Sequence, residues 1–104
     1  MITGNVNAER EAILRLTVRD SHGLEHQHDA IVDTGFDGWL SLPSAFIQTL
    51  GLQKQRSGRA ILADGSESLF SIYEVTVLWE GQPRLISVYE MDAEPLVGMS
   101  LMYG

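Results

Sequence analysis

The stretch Ala30-Ile31-Val32-Asp33-Thr34-Gly35-Phe36 runs three small or branched apolar residues straight into an acid, a hydroxyl and a glycine. An unpaired carboxylate is costly to bury, so a strand through Ile31 and Val32 must release Asp33 from the core at its end. Gly35 has no Cβ and permits both a sharp turn and a close approach of the backbone to the acid. An acid on a rigid strand end, with room around it, is how catalytic carboxylates are presented. A strand that merely ends in an Asp-rich turn gives the same local pattern. The rest of the chain decides between the two.

Upstream, Leu14, Leu16 and Val18 alternate with Arg15, Thr17 and Arg19, the period of a half-buried strand. Asp20-Ser21-His22-Gly23 is a turn cluster, and Leu24 to Val32 returns as a second strand, increasingly apolar towards Asp33. The expected hairpin therefore delivers the acid on its second arm. Met1 to Val6 reads as an edge strand weakened by Gly4, and Asn7 to Glu11 as a loop. His26 and His28 would share a strand face, and two imidazoles at that spacing can bind a metal. No third ligand follows at metal-like spacing, so a solvated polar face is expected and no metal.

Downstream, Asp37-Gly38 turns the chain, and Trp39, Leu40 and Leu42 form a brief strand. Pro43-Ser44 suits a helix start, with φ preset by Pro and a cap from Ser. Phe46, Ile47 and Leu50 would line one side of that helix, which is expected to cover the core beneath the acid loop, and Gly51 can close it. Gln53 to Gly58 is polar and reads as a loop. Arg59 to Ala63 reads as a strand, Asp64-Gly65 as a two-residue hairpin turn, and Leu69 to Trp79 as a long return arm. Gly81-Gln82-Pro83 turns again and Leu85 to Tyr89 makes another strand. Leu96-Val97 then reaches Gly98, with Met99 to Tyr103 able to start a last helical turn. The pattern is all-β in class, with one clear helix. Trp39, Tyr73 and Trp79 read as core or interface aromatics.

A length of 104 residues bounds this to a single domain, 1–104, with a modest core. The net charge is −7, and both halves are acidic, which argues against a nucleic-acid groove because phosphate binding needs clustered Lys and Arg. Absence of cysteine excludes disulfides, thiolate catalysis and cysteine-ligated zinc. No signal segment and no long apolar run is present, so no membrane association and a cytoplasmic location are expected.

Three features thus stand in order: the strand into Asp33-Thr34-Gly35, the hairpin at Asp64-Gly65, and the Leu96-Val97-Gly98 element. This set, from about Ala12 to Met102, resembles the single-lobed, retropepsin-like aspartic peptidases (clan AA type). It is closest to the prokaryotic branch in which Phe, here Phe36, follows the triplet. The resemblance implies a retropepsin-like closed β-barrel with one or two short helices and one lobe per chain. It implies that Asp33 is the catalytic aspartate, that the Thr34 hydroxyl reaches across to a partner's loop, and that the Gly35 backbone packs against the carboxylates. Val97 and Gly98 correspond to the element packed under the active-site loop, and Ala63, Asp64, Gly65 and Ser66 to a flap over bound peptide. Ile31, Ile61 and Leu62 are expected to line the substrate site. Retropepsins interlace terminal strands in their dimer sheet. Here six residues follow Gly98, so that strand is expected to be missing or replaced by the segment around Met1 to Val6.

Metal-free amide hydrolysis needs a base to activate water and an acid to protonate the carbonyl oxygen. Two adjacent carboxyl groups sharing one proton supply both, because like charges that close cannot both ionise. The sequence holds one Asp-Thr-Gly, so an active enzyme must be a homodimer that contributes one Asp33 per chain. The expected activity is aspartic endopeptidase action on a peptide or protein substrate, with no cofactor. A second reading keeps the fold as a catalytically inactive dimeric module that holds an extended peptide or partner protein by strand addition.

Overall fold

The computed structural model describes residues 3–6, 11–61 and 63–103. Thr3–Val6 forms β1, Ala12–Arg19 β2 and Glu25–Val32 β3, each antiparallel to the next. The alternation in β2 has the expected consequence: Leu16 and Val18 are buried, whereas Arg15 between the two apolar rows is exposed. The turn joining β2 to β3 is built by Asp20, whose Oδ1 accepts the N–H groups of His22 and Leu24 at 2.8 and 2.9 Å. Gly23, at φ 82°, supplies the left-handed residue that this turn requires.

Leu40–Leu42 forms β4 and Ser44–Leu50 forms α1. Gly51 closes α1 at φ 68°, its N–H donating to the Ile47 and Gln48 carbonyls. Pro43 rather than Ser44 is the N-cap and makes no side-chain cap. The N–H of Ser44 donates instead to Asp92 Oδ1, at 2.9 Å, from a loop far along the chain. Ile47 and Leu50 enter the core. The helix lies over the turn end of the β2–β3 hairpin, not beneath the acid loop as expected. The Phe46 ring is 4.5 Å from that of His28, and the Leu50 carbonyl accepts the Ser21 N–H. His26 and His28 are accordingly half-buried rather than solvated.

Lys54–Ile61 forms β5, Glu67–Trp79 β6 and Gln82–Glu90 β7, a three-stranded antiparallel meander. The polar segment Lys54–Gly58, expected as a loop, is therefore strand. Nearly all of its side chains are exposed, and main-chain pairing to the long β6 holds it. The turn between β6 and β7 sits at Glu80-Gly81, with φ 52° and 79°, so Gln82 and Pro83 already belong to β7. Two successive positive φ values give the primed turn whose twist matches a two-residue hairpin.

Leu96–Val97 forms β8, and Met99–Tyr103 forms α2. β8 lies between β3, to which it is parallel, and β4, to which it is antiparallel, and β4 runs parallel to β7. The fold is thus mostly β, with two short helices. β2 pairs with β6 as well, through Thr17–Arg19 against Thr76–Leu78. The core gathers inward residues of this sheet, among them Leu16, Leu40, Val75, Val88 and Val97, with Ile47 and Leu50 of α1 and Leu101 of α2.

Candidate active site around Asp33

Asp33 follows β3 directly and is fixed by its backbone on both sides. Its N–H donates to the Val97 carbonyl at 3.0 Å, and its own carbonyl accepts the Phe36 N–H at 3.1 Å. The first bond continues the parallel β3–β8 pairing by one residue, so β8 sets where the acid leaves the sheet. The second closes the loop as a tight turn. The Gly35 N–H donates to Asp33 Oδ1 at 2.9 Å, giving the carboxylate one donor from within the triplet. Asp33 is half-buried, while Thr34 and Gly35 beside it are exposed.

The loop after the triplet is tied to β8 and α2 by further backbone bonds. The Gly98 N–H donates to Trp39 O at 3.0 Å, Met99 N–H to Phe36 O at 2.8 Å, and Ser100 N–H to Gly38 O at 3.2 Å. The Ser100 hydroxyl adds a bond to Asp37 O. Val97 is fully buried and Gly98 is buried, as a supporting element requires. Ser41 is the buried polar residue of β4, and its Oγ accepts the Leu96 N–H at 3.1 Å, which explains a hydroxyl between two buried leucines.

An open cleft of about 330 Å³ contains the acid, lined by Glu11, Ala12, Ile31, Val32, Asp33, Thr34 and Leu96. Of the expected substrate-lining residues, Ile31 is brought to Asp33. Ile61 is 76% exposed on the β5–β6 hairpin and does not line this cleft. Leu62 lies outside the described residues. Glu11 is a site residue that sequence reasoning did not single out, and Leu96, expected in the element that reaches Gly98, lines the cleft as well. The β2–β3 register ends with Ile13 opposite Ile31; continuing that count two residues further, from the Asp20–Leu24 turn, would have pointed to Glu11, which lines the same cleft as Asp33.

The expected flap is the exposed tip of the β5–β6 hairpin. Asp64 Oδ1 accepts both the N–H and the hydroxyl of Ser66, at 2.9 and 2.6 Å, and Gly65 takes φ 85°. The Ser66 hydroxyl, and then its amide, hold the Asp64 carboxyl below its ordinary range. Behind the tip, Phe70 covers Gly58, where a Cβ would meet the ring at 2.5 Å. The Phe70 ring lies 4.8 Å from Tyr89, and Tyr89 lies 5.6 Å from Phe36. Aromatic contacts therefore run from the base of the hairpin to the loop that carries Asp33.

The two histidines are engaged elsewhere. His26 Nε2 is 2.9 Å from Asp20 Oδ2, and His28 Nδ1 is 2.8 Å from the Asp29 carbonyl. Among the described residues no group of three potential ligands could hold a metal ion, and no helix is long and apolar enough to cross a membrane. Set against known proteins, the chain matches no family model, and no curated protein matches it significantly.

Proposed function

We propose that this chain is one half of an aspartic endopeptidase, with its dyad formed by Asp33 from each of two copies. The observation that carries the reading is the presentation of Asp33. It leaves the half-buried end of β3, is clamped by Val97 and Phe36, accepts the Gly35 N–H, and opens into a cleft with Thr34 and Gly35 exposed beside it. An acid needed only to end a strand requires neither the clamp nor the cleft. The retropepsin-like closed barrel is part of the same proposal. Its support is that β2 pairs with both β3 and β6, so the succession β2–β3–β8–β4–β7–β6 returns to β2.

In the paired site one Asp33 is ionised and the other protonated. The ionised carboxylate takes a proton from water as the water oxygen attacks the peptide carbonyl carbon, and the protonated one donates to the carbonyl oxygen. Collapse of the resulting diol breaks the C–N bond as the amine takes up a proton. The β5–β6 hairpin is the element available to close over an extended peptide and exclude bulk water.

Asp33→Asn tests the reading, because it removes the carboxylate and keeps the oxygen that accepts from Gly35. Cleavage of denatured casein from acidic to neutral pH should be lost, while thermal stability and oligomeric state stay as in the wild type. Retained cleavage would remove Asp33 from catalysis. Full activity from a chain that sediments only as a monomer would overturn the paired site and direct attention to Glu11, the other carboxylate of the cleft.

A further inference from the structure

The exposed large apolar side chains fall into separate places. Leu24 (65% exposed) marks the far end of the β2–β3 hairpin, Ile61 and Leu69 lie on the β5–β6 hairpin, Leu85 lies on β7 with Met91 just after it, and Met102 (39%) and Tyr103 (84%) end α2. The last pair differs from the others in being tied to the Asp33 loop. Three bonds, from Met99 N–H, Ser100 N–H and Ser100 Oγ, fix α2 to the carbonyls of Phe36, Gly38 and Asp37. Leu101 is fully buried and anchors the helix inward, so the two residues after it stand on the outside of a rigid unit.

Two carboxylates that share a proton must approach to about 3 Å, so the two-fold axis of a paired site passes beside Asp33. A stable interface covers roughly 800 Å² on each partner, and a round patch of that area reaches about 16 Å from its centre. Neighbouring strands are about 4.8 Å apart and a five-residue helix is about 7.5 Å long. The path from Asp33 across to β8 and along α2 therefore ends inside that patch. Leu24 stands nine residues before Asp33 along an extended strand, roughly 30 Å away, and falls outside it.

We infer that a second copy of this chain covers Met102 and Tyr103, and that the exposed end of α2 is the apolar part of the interface completing the Asp33 site. The inference rests on the paired-carboxylate reading. The contact is isologous, each α2 meeting the surface beside its partner's Asp33 loop. Tyrosine suits it, with a large apolar body and a polar tip that tolerates the rim.

The test compares the full chain with Met102→Glu/Tyr103→Glu, Tyr103→Ala and Leu24→Glu by sedimentation equilibrium and casein cleavage over a dilution series. The double variant should raise the dimer dissociation constant at least tenfold and make cleavage per chain fall steeply on dilution, with an unchanged thermal melt. Tyr103→Ala should move the constant in the same direction without adding charge, and Leu24→Glu should leave it unchanged. A dimeric wild type whose constant is the same in the double variant overturns this inference and leaves the paired site standing. A wild type that is monomeric at every concentration overturns both.

Discussion

The α-carbon of Gly98 rests against the carbonyl group of Gly38, with the Phe36 ring closing the remaining space, so no Cβ fits at position 98. The obstruction is backbone, and that backbone is itself held by Gly98 N–H to Trp39 O and Ser100 N–H to Gly38 O. Neither side can yield without breaking the bonds that seat the Asp33 loop. Gly98→Ala should therefore destabilise the protein by about 3 kcal/mol, at the upper end of the usual cost of overpacking. Urea denaturation will show this as a lower midpoint at unchanged slope. A midpoint within error of the wild type would mean that the loop and β8 are not in the contact described.

A second prediction concerns pH. The Asp20 carboxyl lies below its ordinary range, chiefly because the His26 side chain hydrogen-bonds to it, with help from the amides of Leu24 and His22 and against the effect of burial. A carboxyl depressed on folding binds fewer protons in the folded than in the unfolded chain. Its stabilisation is complete above the unfolded value of about 4 and is lost as pH falls through the lower folded value. Asp20→Asn should thus lower the melting temperature at neutral pH, and the gap from the wild type should narrow below about pH 4. A gap of constant size from neutral to strongly acidic pH would show that Asp20 acts by shape alone.

These two positions also show which features of the molecule were legible in the chain. The Asp20 turn, the left-handed Gly51 cap and the Asp64-Gly65 tip follow from local chemistry, and each sits where its residues require. The alternation of β2 and the apolar run into Asp33 were equally local. The first half of β5 was not legible, because Lys54–Gly58 buries almost nothing and is strand only through its pairing with β6. Nor was the restraint on Gly98, which depends on the distant Gly38 and Phe36, or the cap of α1, which Asp92 supplies from beyond β7. Long-range contacts of this kind leave no period in the sequence. Glu11 is the intermediate case: its place in the Asp33 cleft was available by counting register, but its own neighbourhood is polar and reads as loop.

The last prediction uses Gly35 to separate what one chain needs from what two chains need. Gly35 is exposed where Gly98 is buried, and neither adopts a positive φ. A Cβ there would have Asp33 Oδ1, at 3.4 Å, as its nearest neighbour, an ordinary contact. Within one chain, therefore, Gly35→Ala is admissible and should change stability by no more than about 0.5 kcal/mol, the usual range for surface positions. If two copies bring their triplets together across a two-fold axis, the added methyl group lies between backbones that must touch, and there is nowhere for it to go. Gly35→Ala should then lose most casein cleavage and dimerise more weakly by tenfold or more, while its thermal melt, taken where both proteins are monomeric, overlays the wild type. A fully active, normally dimeric Gly35→Ala protein would show that the triplets do not meet. That would leave Asp33 to be completed, if it acts at all, by a carboxylate of its own chain.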